Sequence, residues 1–282
     1  MQKTETICVC GAGTMGSGIA QVAAQSGFRV IQFDLNAEVL TRSNSQIIKN
    51  LDQLVSKQKL SVDERSEILQ RIRFTSDISE CKADVVIEAI IEDLNAKTDL
   101  FGKLDKINAA DTIFATNTSS ISVSSIAQAL SDPARVAGMH FFNPAPLMKL
   151  VEIVQGSRTD SNTINALVDL SRKMGKTPVV CKDAPGFIVN RVARHYYLEA
   201  MKLVELGQAD VETVDTVMEG TGFRMGPFRL MDLIGMDINY GVSKIVWEAL
   251  GQPERLKPST IQKAKVDAGE LGRKTGKGFY QY

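Results

Sequence analysis

Histidine is nearly missing from this chain: 282 residues hold only two, His140 and His195. With so few imidazoles and no ligand spacing around them, no metal site is expected. Cysteine is sparse as well. Of Cys8, Cys10, Cys81 and Cys181, no two form a C-x-x-C pair. Cys8 and Cys10 lie two apart on an apparent buried strand and point the same way. All four read as small buried hydrophobes in a reducing compartment. Net charge is missing too, because Lys plus Arg equals Asp plus Glu at 33 each. No global field draws in nucleic acid or an anionic membrane, so an anionic ligand has to be met by a local cluster. No apolar run approaches the ~20 residues of a membrane span. Met1 to Glu5 lead straight into a strand pattern, with no room for a signal or transit peptide. A cytoplasmic protein is expected. No internal repeat or low-complexity tract is present.

What remains is an ordinary globular composition, 44% hydrophobic and 23% charged, with a length that suits one large domain or two smaller ones. Short β-rich runs at 6–10, 29–33, 84–88, 112–115, 135–140, 149–154 and 177–181 read as strands, with helical patterns between most of them. That alternation predicts an α/β fold with a doubly wound, mainly parallel sheet. A helical hairpin, about 36–72, is inserted. Its first helix spans Asn36 to Lys59, and its second opens on the capping box Ser61-Val62-Asp63-Glu64 and runs to Ile72. Near Asp183-Ala184-Pro185-Gly186 the pattern changes. Pro185 suits a first helical turn, and helices are expected over 187–206, 210–219, 227–234, 237–250 and 259–268, without a strand. The expected domains are 1–183, α/β, and 184–282, all-helical.

Gly11-Ala12-Gly13-Thr14-Met15-Gly16 follows the first strand and opens a helix, the context that gives G-x-G-x-x-G its meaning. Gly11 permits the tight turn, Gly13 lets a pyrophosphate approach the backbone, and Gly16 lets helix and strand pack closely. The helix N-terminus then faces the phosphates with free N–H groups. The second strand ends in Asp34, placed to accept hydrogen bonds from ribose hydroxyls and to repel a 2′-phosphate. NAD(H) is therefore favoured over NADP(H) in a Rossmann-type domain. Glycine turns also serve SAM-dependent enzymes, but the third glycine and the distal Asp suit a dinucleotide better.

Four other places invite a chemical reading, each beside a plainer one. His140, at the end of a strand before Asn143-Pro144, could pair with Glu152 on the next strand, which would fix its tautomer and raise its basicity. The plainer reading is a half-buried histidine at a strand end, with Glu152 a solvated strand residue. Ser119, just past the strand 112–115, could bond a substrate oxygen or cap the following helix, a task that Ser122 also fits. Asn190, inside the long helix after Pro185, could bind a carbonyl or simply face solvent. Lys49, Lys57 and Lys59, on the hairpin, could meet an anionic group or be solvated. His195 reads as structural. The tail Gly272-Arg273-Lys274-Thr275-Gly276-Lys277-Gly278 has the wrong glycine spacing for a P-loop and no strand before it.

GAGTMG, IEA with Glu92 and Lys97 following, TNTSS, GMHFFNPAPLMKLVEIV, DAPGFIVNR, GPFRLMDLIGMD and GRKTGKGFYQY occur in this order over essentially the whole chain. Together they resemble the stand-alone L-3-hydroxyacyl-CoA dehydrogenase family, in particular its short bacterial 3-hydroxybutyryl-CoA members. The resemblance implies His140 as catalytic base and Glu152 as its partner carboxylate. It implies Ser119 and Asn190 as holders of the substrate oxygens. Gly11, Gly13, Thr14, Met15, Gly16, Asp34, Glu92, Lys97 and Asn117 become NAD-binding positions. Ser43, Lys49, Lys57 and Lys59 become coenzyme A contacts, although lysine spacing varies there. A homodimer formed through the C-terminal domain is also implied. Cys8, Cys10 and Arg224 depart from the family pattern without touching a catalytic motif. Two alternatives stand beside this one: a dehydrogenase of a free hydroxy or sugar acid such as L-gulonate, and a crystallin-like structural homologue.

Overall fold

The computed structural model describes residues 4–282, and the chain divides into two units, one ending at Asp183 and the other Ala184–Tyr282. In the first unit the apolar, β-branched runs form eight strands: β1 (Thr6–Cys10), β2 (Arg29–Phe33), β3 (Ile72–Thr75), β4 (Val85–Glu88), β5 (Ile113–Thr116), β6 (Val136–Phe141), β7 (Leu150–Gln155) and β8 (Thr177–Lys182). They make one sheet in the order β3-β2-β1-β4-β5-β6-β7-β8. Every neighbouring pair is parallel except β6 and β7. The winding reverses between β1 and β4, and ligands of such sheets bind outside the carboxyl ends of the strands at that reversal.

Helices α1 (Thr14–Gln25), α2 (Ala37–Ser56), α3 (Val62–Gln70), α4 (Leu94–Asp105), α5 (Val123–Ala127) and α6 (Ser161–Lys173) connect the strands. With helices covering the sheet, the central strands lose the polar alternation of a half-exposed strand: β4 and β6 are buried at every position. Ile19 and Ala23 of α1, Ile47 and Leu51 of α2 and Ile7 and Val9 of β1 share one core. Full burial of such a side chain stabilises by roughly 1.5–3 kcal/mol.

The hairpin starts at Asn36, whose side chain accepts from the Glu38 N–H at 2.8 Å. Its second helix carries the expected capping box, with Ser61 and Glu64 exchanging bonds of 2.8 and 3.1 Å. One expectation fails here. The second helix stops at Gln70 and Ile72–Thr75 becomes the edge strand β3, paired with β2 in the register Val30↔Ile72. The segment Ile72-Arg73-Phe74-Thr75 is rich in β-formers, and the free edge of β2 offers it a full ladder of bonds that a frayed helix end lacks.

The second unit holds α7 (Val189–Glu205), α8 (Val211–Gly220), α9 (Pro227–Ile234), α10 (Met236–Ala249) and α11 (Thr260–Asp267). Outside the helices it has only the isolated bridges Gly272↔Lys277 and Lys277↔Gln281. Pro185 does not open α7 as expected. Gly186 and Phe187 adopt φ of 75° and 48°, a left-handed step that delays the helix to Val189. A Cβ on Gly186 would stand 2.8 Å from Val246 Cγ2, so the step also lets the chain pass close to α10.

Two buried carboxylates staple this unit. Asp215 accepts from the N–H groups of Phe228 and Arg229 and from the Tyr280 hydroxyl, at 2.8–2.9 Å. Asp232 accepts from the N–H groups of Phe279 and Tyr280 at 2.9 Å and from the Tyr282 hydroxyl at 3.1 Å. The glycine-rich tail is thus a docking segment for α9, in line with the rejection of a P-loop there. Among the described residues, no helix is long and apolar enough to cross a membrane.

Candidate active site

At the reversal of the sheet, Gly11 turns the chain out of β1 with φ of 100°. A Cβ there would lie 2.4 Å from the Ala89 carbonyl oxygen, and one on Gly16 would lie 1.9 Å from the Gly11 carbonyl oxygen. Both contacts forbid any larger residue. Gly13, by contrast, faces open space on its Cβ side. Helix α1 begins after Gly13 with no side chain capping it, so its first N–H groups point outward unshielded. Uncapped donors, a positive helix end and an open cradle fit a dinucleotide pyrophosphate. Thr14 is exposed and Met15 half-buried at the same helix start.

Asp34, just beyond β2, accepts from the Ala12 N–H at 2.8 Å and the Asn36 N–H at 2.9 Å. Its carboxylate therefore braces the glycine loop, and no arginine follows it in sequence before Arg42. The residues present fit NAD: Gly11, Gly13 and Gly16 with the α1 N-terminus would hold the phosphates, and Asp34 a ribose.

His140 and Glu152 face each other directly. They are register partners across the antiparallel β6–β7 pair, and His140 Nδ1 lies 2.8 Å from Glu152 Oε2. His140 is 6% exposed and Glu152 1%. The Phe142 ring packs against the imidazole at 4.5 Å between centroids. Asn117 Oδ1 accepts from the Phe141 N–H at 2.8 Å, which ties the turn after β5 to the end of β6 beside His140. Behind this pair, the Cys181 thiol is pushed up to about 11 by burial, with the charges of Glu152 and Asp183 adding to the rise.

Ser119 sits in the turn between β5 and α5. The N-cap of α5 is Ser122, whose hydroxyl accepts from the Ser125 N–H at 3.2 Å, so Ser119 is not used as that cap. The turn wraps a carboxylate. Glu92 Oε1 accepts from Thr118 Oγ1 at 2.5 Å, the Ser119 N–H at 3.0 Å, the Ser120 N–H at 3.2 Å and Ser120 Oγ at 2.9 Å. Lys97 Nζ stands 3.2 Å from Glu92 Oε2. Burial pulls the Glu92 carboxyl up, but the Lys97 charge and these donors outweigh it, leaving the group below the ordinary carboxylate range.

Asn117, Ser119, His140, Glu152, Glu92, Lys97 and the glycine loop all belong to the first unit and to the carboxyl edge of its sheet. Asn190 belongs to the second, as the second residue of α7, where its carbonyl accepts from Arg194 Nε at 3.0 Å. His195 is exposed on α7. Lys49, Lys57 and Lys59 are exposed on α2 and the bend that follows it. Ser43 is a correction. It is 2% exposed, accepts from Ser17 Oγ at 2.7 Å and donates to Gln32 Oε1 at 2.8 Å. It pins α2 to α1 and β2 from inside, out of reach of a coenzyme. Glu88 and Thr118, both fully buried at this edge, went unnoticed in the sequence. A carboxylate ending an apolar strand, nine residues before a lysine, was the available signal.

Known proteins are similar over the whole chain. A family model described as the NAD binding domain of 3-hydroxyacyl-CoA dehydrogenase matches residues 6–184, and the C-terminal domain of the same enzyme matches 186–282. The 3-hydroxyadipyl-CoA dehydrogenase of Escherichia coli K12 is 45% identical over 284 residues, covering 100% of this chain and 60% of the relative. The chain thus spans about three fifths of that relative's length. A probable 3-hydroxybutyryl-CoA dehydrogenase of Deinococcus radiodurans is 43% identical, covering 97% of this chain and 99% of its own. The crystal structure of (S)-3-hydroxybutyryl-CoA dehydrogenase from Ralstonia eutropha superposes with a TM-score of 0.95 at 36% identity, covering 99% of each chain.

Proposed function

The chain belongs to the 3-hydroxyacyl-CoA dehydrogenase family, and from that membership and the geometry of the site we propose that it interconverts (S)-3-hydroxybutyryl-CoA, or a similar short-chain 3-hydroxyacyl-CoA, and acetoacetyl-CoA. One observation carries the reading: a buried His140–Glu152 pair, 2.8 Å apart, on the sheet edge that also carries the glycine loop. NAD, when bound, takes up or supplies the hydride exchanged at C3.

The chain's own part is proton handling and orientation. Nδ1–H of His140 donates to Glu152, which leaves Nε2 with a lone pair for the C3 hydroxyl proton. The carboxylate stabilises the imidazolium that results. In the reducing direction the same imidazolium donates to the C3 oxygen. Ser119 and Asn190 hold substrate oxygens, and Asn117 keeps the Ser119 turn in step with His140. Lys49, Lys57 and Lys59 are left as the coenzyme A candidates on the hairpin. A cytoplasmic homodimer joined through the helical domain completes the reading.

The relatives at 43–45% identity are named for CoA thioesters, which favours a thioester over L-gulonate or another free acid and over a structural protein. Loss of NADH absorbance with acetoacetyl-CoA, set against acetoacetate, a sugar acid and a dicarboxylic 3-oxoacyl-CoA, tests it. Turnover should need the thioester. Preference for a free acid, or no turnover with any thioester, overturns the proposal.

A further inference from the structure

The turn that carries Ser119 rests on a charge arrangement lodged inside the sheet. Glu88 ends β4 with no exposed surface, opposite Cys10 of β1 and Thr116 of β5. Its Oε1 accepts from Lys97 Nζ at 2.6 Å and from the Ile90 N–H at 2.8 Å, and its Oε2 from Thr116 Oγ1 at 2.6 Å. Lys97 is itself 1% exposed. Removing two charges from water costs several kcal/mol each, and a hydrophobic pair of similar volume is often as stable, so such a pair is poor evidence of a purely stabilising role. What it does here is reach the Ser119 turn by two routes. Lys97 bridges from Glu88 to Glu92, whose other oxygen collects the donors of residues 118–120. Thr116, donating to Glu88, accepts from the Thr118 N–H at 3.3 Å.

We propose that Glu88 is a positioning residue for Ser119, holding Lys97 and Thr116 so that Glu92 stays seated in the turn 118–120. The inference rests on the acyl-CoA reading of Ser119 as a substrate contact. Without the Glu88 charge, Lys97 has one anionic partner left and draws Glu92 toward itself, off the backbone N–H groups of Ser119 and Ser120. The Ser119 hydroxyl then loses its fixed place, and reaction geometry is sensitive to displacements of about 1 Å.

A double-mutant cycle separates positioning from bulk stability. At saturating NADH, Glu88→Gln should lower kcat for acetoacetyl-CoA roughly tenfold. In a Ser119→Ala background the same change should cost no more than about twofold, because the hydroxyl through which it acts is gone. A full, multiplicative loss in both backgrounds overturns the proposal. Thr118→Val attacks the same turn from its other end and should show the same non-additivity, which keeps the test sound should Glu88→Gln fail to fold. A second readout needs no substrate: the thiol of Ser119→Cys should alkylate several-fold faster once Glu88→Gln is added. Equal rates reject positioning whatever the substrate, whereas faster alkylation without thioester turnover leaves positioning standing and rejects the substrate.

Discussion

A histidine and a glutamate twelve residues apart meet only because a hairpin turn folds β7 back on β6 in the register that sets them opposite. If His140 moves the proton, His140→Gln should lower kcat by about 10²–10⁴ and leave NADH fluorescence titrations unchanged. Retained turnover would remove it from that role. Glu152→Gln should cost less, on the order of tenfold or more, because the imidazole stays in place but its cation loses support. Cys181 reports on the same charge. With its thiol raised to about 11, it should alkylate slowly at pH 8.5. Glu152→Gln should speed that labelling modestly, since burial is the larger cause of the rise, and an unchanged rate would remove Glu152 as a contributor to it. At this scale the sequence displayed the pair, the glycine loop and Ser119, since each sits at a strand end beside a turn. Glu88 and Thr118 were hidden because their importance comes from cross-strand register and burial, neither of which spacing along the chain displays. Ser43 was named only through the resemblance, which implies coenzyme A on this hairpin, and the packing of α2 on α1 turns that side chain inward.

Individual elements were legible where local chemistry decided them. The capping box at Ser61 and Glu64 and the proline opening α9 are examples, each set by residues within one turn of the chain. β3 and the start of α7 were not legible. One needed the vacant edge of β2, and the other a left-handed step at Gly186 and Phe187 that no propensity foretells. The closing tail divides local from tertiary control most sharply. A Cβ on Gly278 would lie 2.1 Å from Asp232 Oδ1, so Gly278→Ala must displace a buried carboxylate from the N–H groups of Phe279 and Tyr280. That should cost on the order of 2–3 kcal/mol in urea unfolding. Ser61→Ala, which removes a local and exposed cap, should cost about 1 kcal/mol. If the two variants prove equal, the tail is not held by Asp232.

For the molecule as a whole, with charges balanced at 33 and 33, the pH dependence of stability follows from individual groups rather than from net repulsion. On the acid side, burial opposes ionisation of Glu92, Asp105 and Glu205, but hydrogen bonds and nearby cations win and hold all three carboxyls below their ordinary values. A carboxyl depressed in the folded state contributes stability that is complete above its unfolded value of about 4 and is lost as pH falls through the folded one. On the alkaline side, burial first, with nearby carboxylates adding to it, raises the phenols of Tyr196, to about 12, and of Tyr280 and Tyr282. A phenol raised in the folded state contributes stability that is complete below its unfolded value of about 10 and is lost as pH climbs through the folded one. The urea midpoint should therefore stay level between about pH 5 and 9 and fall at both ends. Tyr280→Phe separates the two limbs. It deletes a phenol that donates to Asp215 at 2.8 Å, so it should lower the plateau and soften the alkaline fall while leaving the acid fall in place. An alkaline limb that this substitution leaves untouched would show that the Tyr280–Asp215 bond does not govern the high-pH transition.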